Sequence, residues 1–358
     1  MSLRPRAHIH LSNIVANWRT LKASQPDSTI AAVVKANAYG HGLREVGETL
    51  HDAGCDHFFV AHSFEGEALR KTIGPHAIVY VLNGPDIYEE PLYRNSALTP
   101  VINSEQQFQT LVTWVQSDGK LRNGYALHFD TGMNRLGLPI RDAEPISEAV
   151  TGFTPSLIMT HLACSEAVDH PMNTDQRMKL KRLSSTFPDV PTSLANSDGV
   201  WLGPDFRSNL SRAGIALYGG GNPPEGVILK PGLTLEAPII QVRVVEAGET
   251  VGYGASHRLS QRTVLATVAL GYGDGFPRSA SNSGYATIQG VHCPIAGRVS
   301  MDLITLDVTA AVHLARPGVF AQFLGQDVPL EDQAKKAGTI GYELTTGLLP
   351  RVERLYPN

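Results

Sequence analysis

Eight short apolar runs, most of them separated by segments with helical periodicity, constrain the fold of this chain more than any other feature. They lie at 30–34, 57–61, 77–82, 98–102, 125–130, 157–161, 192–195 and 213–218. Between them, segments 43–53, 64–72, 104–116 and 174–186 carry apolar residues at helical spacing, and Ser104 and Thr174 are placed to act as N-caps. Eight alternations of strand and helix predict an α/β fold of the (β/α)8 (TIM) barrel kind. A doubly wound sheet is the alternative, because periodicity alone does not close a ring.

The texture changes after Gly219, Gly220, Gly221, Asn222, Pro223 and Pro224. Beyond them, 234–245, 263–269 and 286–288 read as strands separated by Gly- and Pro-rich turns, with little helix before 330–336. The glycine run is a boundary turn and not a nucleotide loop, since no helix follows it to offer an anion-binding N-terminus. A chain of 358 residues exceeds the usual size of one domain. The expected division is therefore a barrel over residues 1–230 and a C-terminal mainly-β domain over 231–358.

A net charge of −4 without long basic runs gives no electrostatic footprint for nucleic acid. The start, Met1 to Arg6, is basic but is followed by His8, Ile9 and His10 in place of the apolar core of a secretory signal. No stretch reaches the length of a membrane span. Cys55, Cys164 and Cys293 are odd in number and far apart, which argues against a disulfide framework or a cysteine metal site. These readings predict a cytoplasmic protein that acts on a small molecule without a metal.

The chemistry is signalled where the first run ends, at Val33-Val34-Lys35-Ala36-Asn37-Ala38-Tyr39-Gly40-His41-Gly42. A lysine carried to the end of a buried strand loses hydration, which lowers its pKa and suits it to form a Schiff base. Read by itself, Lys35 is better taken as a solvated lysine on a loop, since most lysines are exposed.

The run from Ala32 to Gly42 resembles the lysine signature of alanine racemases, fold-type III enzymes that use pyridoxal 5'-phosphate (PLP). Further blocks follow in that family's order: Asp130 to Gly137, Met159 to Ala163, Ala195 to Ser197, Ser211 to Gly219, Val251 to Ala255, Leu270 to Gly275, and Gly297 to Asp302. The resemblance implies a PLP-binding barrel followed by a β domain. It also implies a head-to-tail homodimer in which the second domain completes the partner subunit's active site.

Roles for individual residues follow from the same resemblance. Lys35 would hold PLP and serve as the base on the D-alanine side, and Tyr253 from the other subunit would serve on the L-alanine side. A free tyrosine ionises near pH ~10 and is a poor base at neutrality, so it needs support. His161 would orient Tyr253 and be held in turn by Arg212. Arg212 would also face the pyridine nitrogen, where a guanidinium does not readily give up a proton; this limits side reactions. Tyr39, Ser197, Gly214 and Ile215 would bind the phosphate, in a region where TIM barrels often do so. Arg135 and the Met301 backbone N–H of the other chain would bind the substrate carboxylate. Tyr272, Asp274 and Arg278 would line the entry corridor.

Two departures from the family pattern stand out. Many members carry a carbamylated lysine two residues before the Asp-Thr-Gly-Met block, whereas here that position is His128, so Arg135 needs another neighbour, such as an anion or a water. Many also carry a tyrosine about eight residues beyond the Tyr-Glu pair, whereas Tyr342-Glu343 is followed at that distance by Leu349-Pro350-Arg351. The second departure predicts a wider inner gate and some activity on serine. The leading expectation is an isomerase that supplies D-alanine to peptidoglycan, and a racemase of broader alanine and serine specificity is the alternative. A PLP decarboxylase is disfavoured by Arg212, and a non-catalytic PLP carrier by the second domain.

Overall fold

The fold is described from a computed structural model covering residues 4–357; Met1 to Leu3, part of the basic start, lie outside the described residues. Eight parallel strands form the barrel: Thr29–Val33, His57–Val60, Ile78–Val81, Leu98–Ile102, Ala126–Asp130, Leu157–Met159, Thr192–Ser193 and Leu210–Ala213. Each pairs with its neighbours in this order, and Leu210–Ala213 returns to Thr29–Val33, with Arg212 opposite Ala31. The ring is closed, which excludes the doubly wound alternative.

Most of these strands are buried along almost their whole length, as a sheet covered on one face by helices and filled on the other requires. Ser104 caps helix Glu105–Asp118 as expected, its hydroxyl accepting from Gln107 N at 3.2 Å. Thr174 does not cap its helix. That helix runs Pro171–Thr186, starting from His170, whose Nδ1 accepts from Met172 N at 3.2 Å; Pro171 sits where a missing N–H does no harm.

The last barrel strand lies earlier than expected, at Leu210–Ala213, and the apolar run beyond it is a 3-10 turn, Ile215–Tyr218. Those four residues are apolar because the turn packs under helix Leu11–Ser24, where Asn17 Nδ2 donates to Leu217 O at 3.0 Å. Burial by a helix and burial in a sheet leave the same hydrophobic trace.

The second domain is organised by one long strand, Leu233–Val245. Phe320–Leu324 and Arg6–Ile9 pair with its first half, and Thr263–Val268 pairs with its second. Ile304–Asp307 extends this sheet, and Tyr285–Ile288 and Val291–Pro294 form a hairpin beside it. Arg6–Ile9 departs from a simple division at residue 230. It lies between Leu233–Val245 and the parallel strand Glu353–Leu355, because its alternating half-buried pattern fits an open sheet and not the barrel interior.

Candidate active site

Lys35 leaves the barrel at the end of strand Thr29–Val33 and starts a tight turn in which Ala36, Asn37, Ala38 and Tyr39 all have φ between 52° and 56°. Four consecutive left-handed L-residues cost about 1–2 kcal/mol each, so the turn must be held from outside. Glu65 supplies the main clamp. Its carboxylate accepts from Ala36 N at 2.7 Å and from Ala61 N at 2.8 Å, which ties two successive barrel loops together. Leu43 N donates to Asn37 Oδ1 at 2.9 Å, and Arg354 donates to Gly40 O at 2.7 Å. The turn directs Lys35 into the mouth of the barrel. Burial lowers the pKa of its amine most; Arg135 adds to this, Glu65 opposes it, and Arg212 lowers it again.

Arg212 comes from the last barrel strand and is buried. Its guanidinium donates to Thr160 O at 2.6 Å, to the Ser193 hydroxyl, and to His161 Nδ1 at 3.2 Å. Removal from water lowers its pKa to about 10, and it remains a cation at neutral pH. Since a guanidinium only donates, His161 must accept at Nδ1 and carry its proton on Nε2. Burial, followed by the Arg212 charge, holds the His161 pKa well below its ordinary value, so the ring is a neutral donor.

A small anion cradle lies where the seventh and eighth barrel strands end. Ser197 Oγ accepts from Gly214 N at 2.9 Å and from Ala216 N at 3.2 Å. Ser197 is not a capping residue; Asn196 Oδ1 performs that task by accepting from Gly199 N at 2.9 Å, which leaves the serine hydroxyl to the cradle. Ile215 opens the 3-10 turn, so its N–H is one of the donors without an intrahelical partner. A Cβ at Gly214 would sit 2.5 Å from the Tyr39 hydroxyl, so only glycine leaves the cradle open. Tyr39 itself stacks on Tyr218, with ring centroids 4.9 Å apart. Hydroxyls and backbone N–H groups at a strand-to-turn junction match the chemistry of a phosphate.

Lys35, Tyr39, Arg135, His161, Ser197, Arg212 and Gly214 all line one cavity of about 500 Å³, with no carboxylate among its described lining residues. Three cationic side chains around such a space suit a ligand carrying both a phosphate and a carboxylate. Tyr342 lines the same cavity, its ring 5.8 Å from that of Tyr39. This corrects the expected wide inner gate: the tyrosine that occupies it belongs to the Tyr-Glu pair itself, brought there by helix Gly341–Thr346. Asn103, Glu65 and Tyr342 were not identified from the sequence. Asn103 did carry a signal, as a polar residue just beyond the C-terminal end of a barrel strand.

Another group of expected site residues lies on the second domain, away from this cavity within one chain. Tyr253 is 73% exposed on a turn between Gly252 and Gly254, beside a separate cleft that includes Arg298 and Ser300. Met301 and Tyr272 are also exposed, as is Arg278. Asp274 differs from expectation. Its carboxylate is buried and committed to Gly271 N at 2.9 Å and Arg351 Nε at 2.9 Å, so it braces the loop and does not line a corridor.

Comparison with known proteins matches residues 9–223 to the family "Alanine racemase, N-terminal domain" and 232–356 to "Alanine racemase, C-terminal domain". A catabolic alanine racemase of Agrobacterium fabrum is 43% identical over 97% of this chain and 91% of its own length. A biosynthetic alanine racemase of the same organism is 40% identical over 98% of this chain and 93% of its own length. Among solved structures, alanine racemase from Bartonella henselae with covalently bound pyridoxal phosphate superposes with a TM-score of 0.93 at 34% identity, covering 99% of this chain and all of the other. Biosynthetic alanine racemase from Pseudomonas aeruginosa gives a TM-score of 0.93 at 32% identity, with both chains fully covered.

Proposed function

The chain belongs to the alanine racemase family, and from that premise we propose that it interconverts L- and D-alanine with PLP, using Lys35 of one subunit and Tyr253 of another on opposite faces of the substrate. The observation that carries this reading is the meeting of Lys35 with the Arg212–His161 pair in one cavity that has no carboxylate among its described lining residues. PLP would be held by Lys35 and by the cradle of Tyr39, Ser197, Gly214 and Ile215, with Arg212 toward its ring nitrogen. When bound, the cofactor would supply an electron sink that makes the Cα proton of the substrate removable.

Lys35 Nζ exchanges the proton on the D-alanine side, a task helped by its lowered pKa. The Tyr253 hydroxyl exchanges it on the L-alanine side. His161, with its proton on Nε2, donates to the tyrosine oxygen and stabilises it when it has lost its proton. Arg135 and Met301 N–H hold the carboxylate. Because Tyr253 and Met301 lie outside their own chain's cavity, the reading requires a head-to-tail homodimer. The exposed apolar surface of Tyr253, Tyr272, Met301 and Leu303 supports that assembly. The second domain, from residue 231, would then complete the partner subunit's site. Tyr342 in the cavity removes the reason for expecting serine as a substrate. We place the reaction in the cytoplasm, in agreement with three free cysteines, and its product in peptidoglycan synthesis.

The test is incubation of PLP-loaded protein with L-alanine in heavy water, following the α-proton by NMR and the enantiomer ratio on a chiral column. Exchange with accumulation of D-alanine is expected. Absence of exchange from either enantiomer would overturn the reading.

A further inference from the structure

Asn103 and His128 form a pair whose hydrogen-bond polarity is fixed. Asn103 follows strand Leu98–Ile102, and its Nδ2 donates to Leu82 O and to Val101 O, each at 2.9 Å. Both amide hydrogens are thereby used, so the oxygen must be the end that faces His128, 2.7 Å from its Nδ1. An amide oxygen only accepts, and His128 therefore carries its proton on Nδ1. Burial, then the charges of Arg212 and Arg135, push its pKa down to about 4, with Asp130 opposing between them. At neutral pH the remaining nitrogen, Nε2, is an unprotonated acceptor.

This acceptor faces the cavity. Alternation along Ala126–Asp130 sends Phe129 outward onto Phe187, with rings 5.8 Å apart, and His128 inward, where it lines the same wall as Arg135. Arg135 reaches that wall on a loop folded around Asp130, whose carboxylate accepts from Gly132 N at 2.8 Å and Asn134 N at 3.2 Å. The far end of the loop is tied to Asn103, through Gly137 N to Asn103 O at 3.2 Å. One asparagine thus anchors the arginine loop and sets the tautomer of the histidine beside it. Among the described residues Arg135 makes no ion pair.

We propose that His128 is a positioning residue for Arg135: the two line one cavity wall without a hydrogen bond between them, and when the amino acid binds, the His128 Nε2 receives one N–H of the guanidinium and turns the remaining fork toward the ligand carboxylate. The identity of that ligand rests on the racemase reading. A neutral acceptor suits the task better than a carboxylate, because it orients the guanidinium without neutralising the charge that binds the ligand. His128 itself is then the neighbour that Arg135 requires, and no anion is needed between them.

The test uses PLP-loaded protein and propionate, which keeps the carboxylate and methyl group of alanine and lacks its amine. Calorimetric Kd values for propionate are compared with alanine KM and kcat. His128→Asn keeps a donor for Asn103 but has nothing at the Nε2 position. It should weaken propionate binding and raise KM by about 12- to 160-fold, the range for one hydrogen bond to a charged group, with a smaller effect on kcat. His128→Gln brings an amide oxygen back to that position and should recover most of the loss. In the wild-type protein, nitrogen-15 NMR should find the His128 proton on Nδ1.

A proton on Nε2, or wild-type propionate affinity in His128→Asn, would overturn the proposal. If His128→Asn does not fold, the wild-type tautomer and the His128→Gln constants decide it. Wild-type protein that binds propionate but does not racemise alanine would count against the proposed reaction, and the propionate constants would still judge His128.

Discussion

Arg212 Nη2 lies 3.2 Å from His161 Nδ1, and this contact sets the direction in which a proton can be offered from the barrel wall toward the substrate. Arg212 holds that position by donating to Thr160 O and to the Ser193 hydroxyl as well. Arg212→Lys keeps a charge but replaces the planar fork with a point donor, so His161 would no longer be confined to one tautomer. The expected result is a fall in kcat of about 100-fold or more, the usual scale of one acid/base contribution, with a mixed His161 tautomer by nitrogen-15 NMR. An unchanged tautomer would show that the contact is incidental.

Gly214 and Tyr39 make a second paired prediction. In Gly214→Ala the new methyl would meet the Tyr39 hydroxyl at 2.5 Å, and the cradle would close. Affinity for PLP, measured by equilibrium dialysis, should fall at least about tenfold, corresponding to roughly 1.4 kcal/mol. In a Tyr39→Phe background, where the shortest contact is gone, Gly214→Ala should cost less affinity than it does in the wild-type protein. The same cost in both backgrounds would place the strain elsewhere.

Shared sites can be tested by mixing inactive chains. Lys35→Ala should carry no PLP covalently attached after borohydride reduction, as read by mass spectrometry, and Tyr253→Phe should retain it. If each site draws on both subunits, dissociating and reassociating the two variants together gives mixed dimers with one intact site. Random pairing predicts recovery of about a quarter of wild-type activity. No recovery, in a sample shown to contain mixed dimers, would mean that Lys35 and Tyr253 serve from the same chain.

His41 is fully buried beneath the lysine turn, where its Nδ1 donates to Tyr39 O at 2.9 Å. Burial lowers its pKa from 6.5 to about 4 against the opposing effect of its backbone hydrogen bonds. The unfolded chain therefore binds a proton in this window that the folded chain does not, and stability present above pH 6.5 is lost as pH falls toward 4. One such group contributes a slope of about 1.4 kcal/mol per pH unit. Urea titrations between these limits should give His41→Asn a slope smaller by about one proton; equal slopes would show that His41 titrates normally.

The barrel was legible in the sequence because strands buried on both faces appear as unbroken apolar runs, and Lys35 because it interrupts one at its end. The second domain was less so. Ile304–Asp307 alternates buried and half-buried positions over four residues, and Glu353–Leu355 is shorter still. The left-handed turn could not have been read, since Ala36, Ala38 and Tyr39 have no preference for positive φ and are held there by Glu65, 26 or more positions away in the chain. Tyr342 was misjudged for a related reason. Its place depends on how helix Gly341–Thr346 lies against the lysine turn, and spacing along the chain carries no record of that.

Arg6–Ile9 leaves the ribosome ahead of the whole barrel, yet its hydrogen-bond partners are Leu233–Val245 and Glu353–Leu355. The strand must therefore wait until the barrel has been made before the sheet that receives it exists. The barrel can assemble behind it in the meantime. Closure of the second domain becomes a late event that joins strands made before and after the barrel, so loss of either would leave the same sheet unfinished.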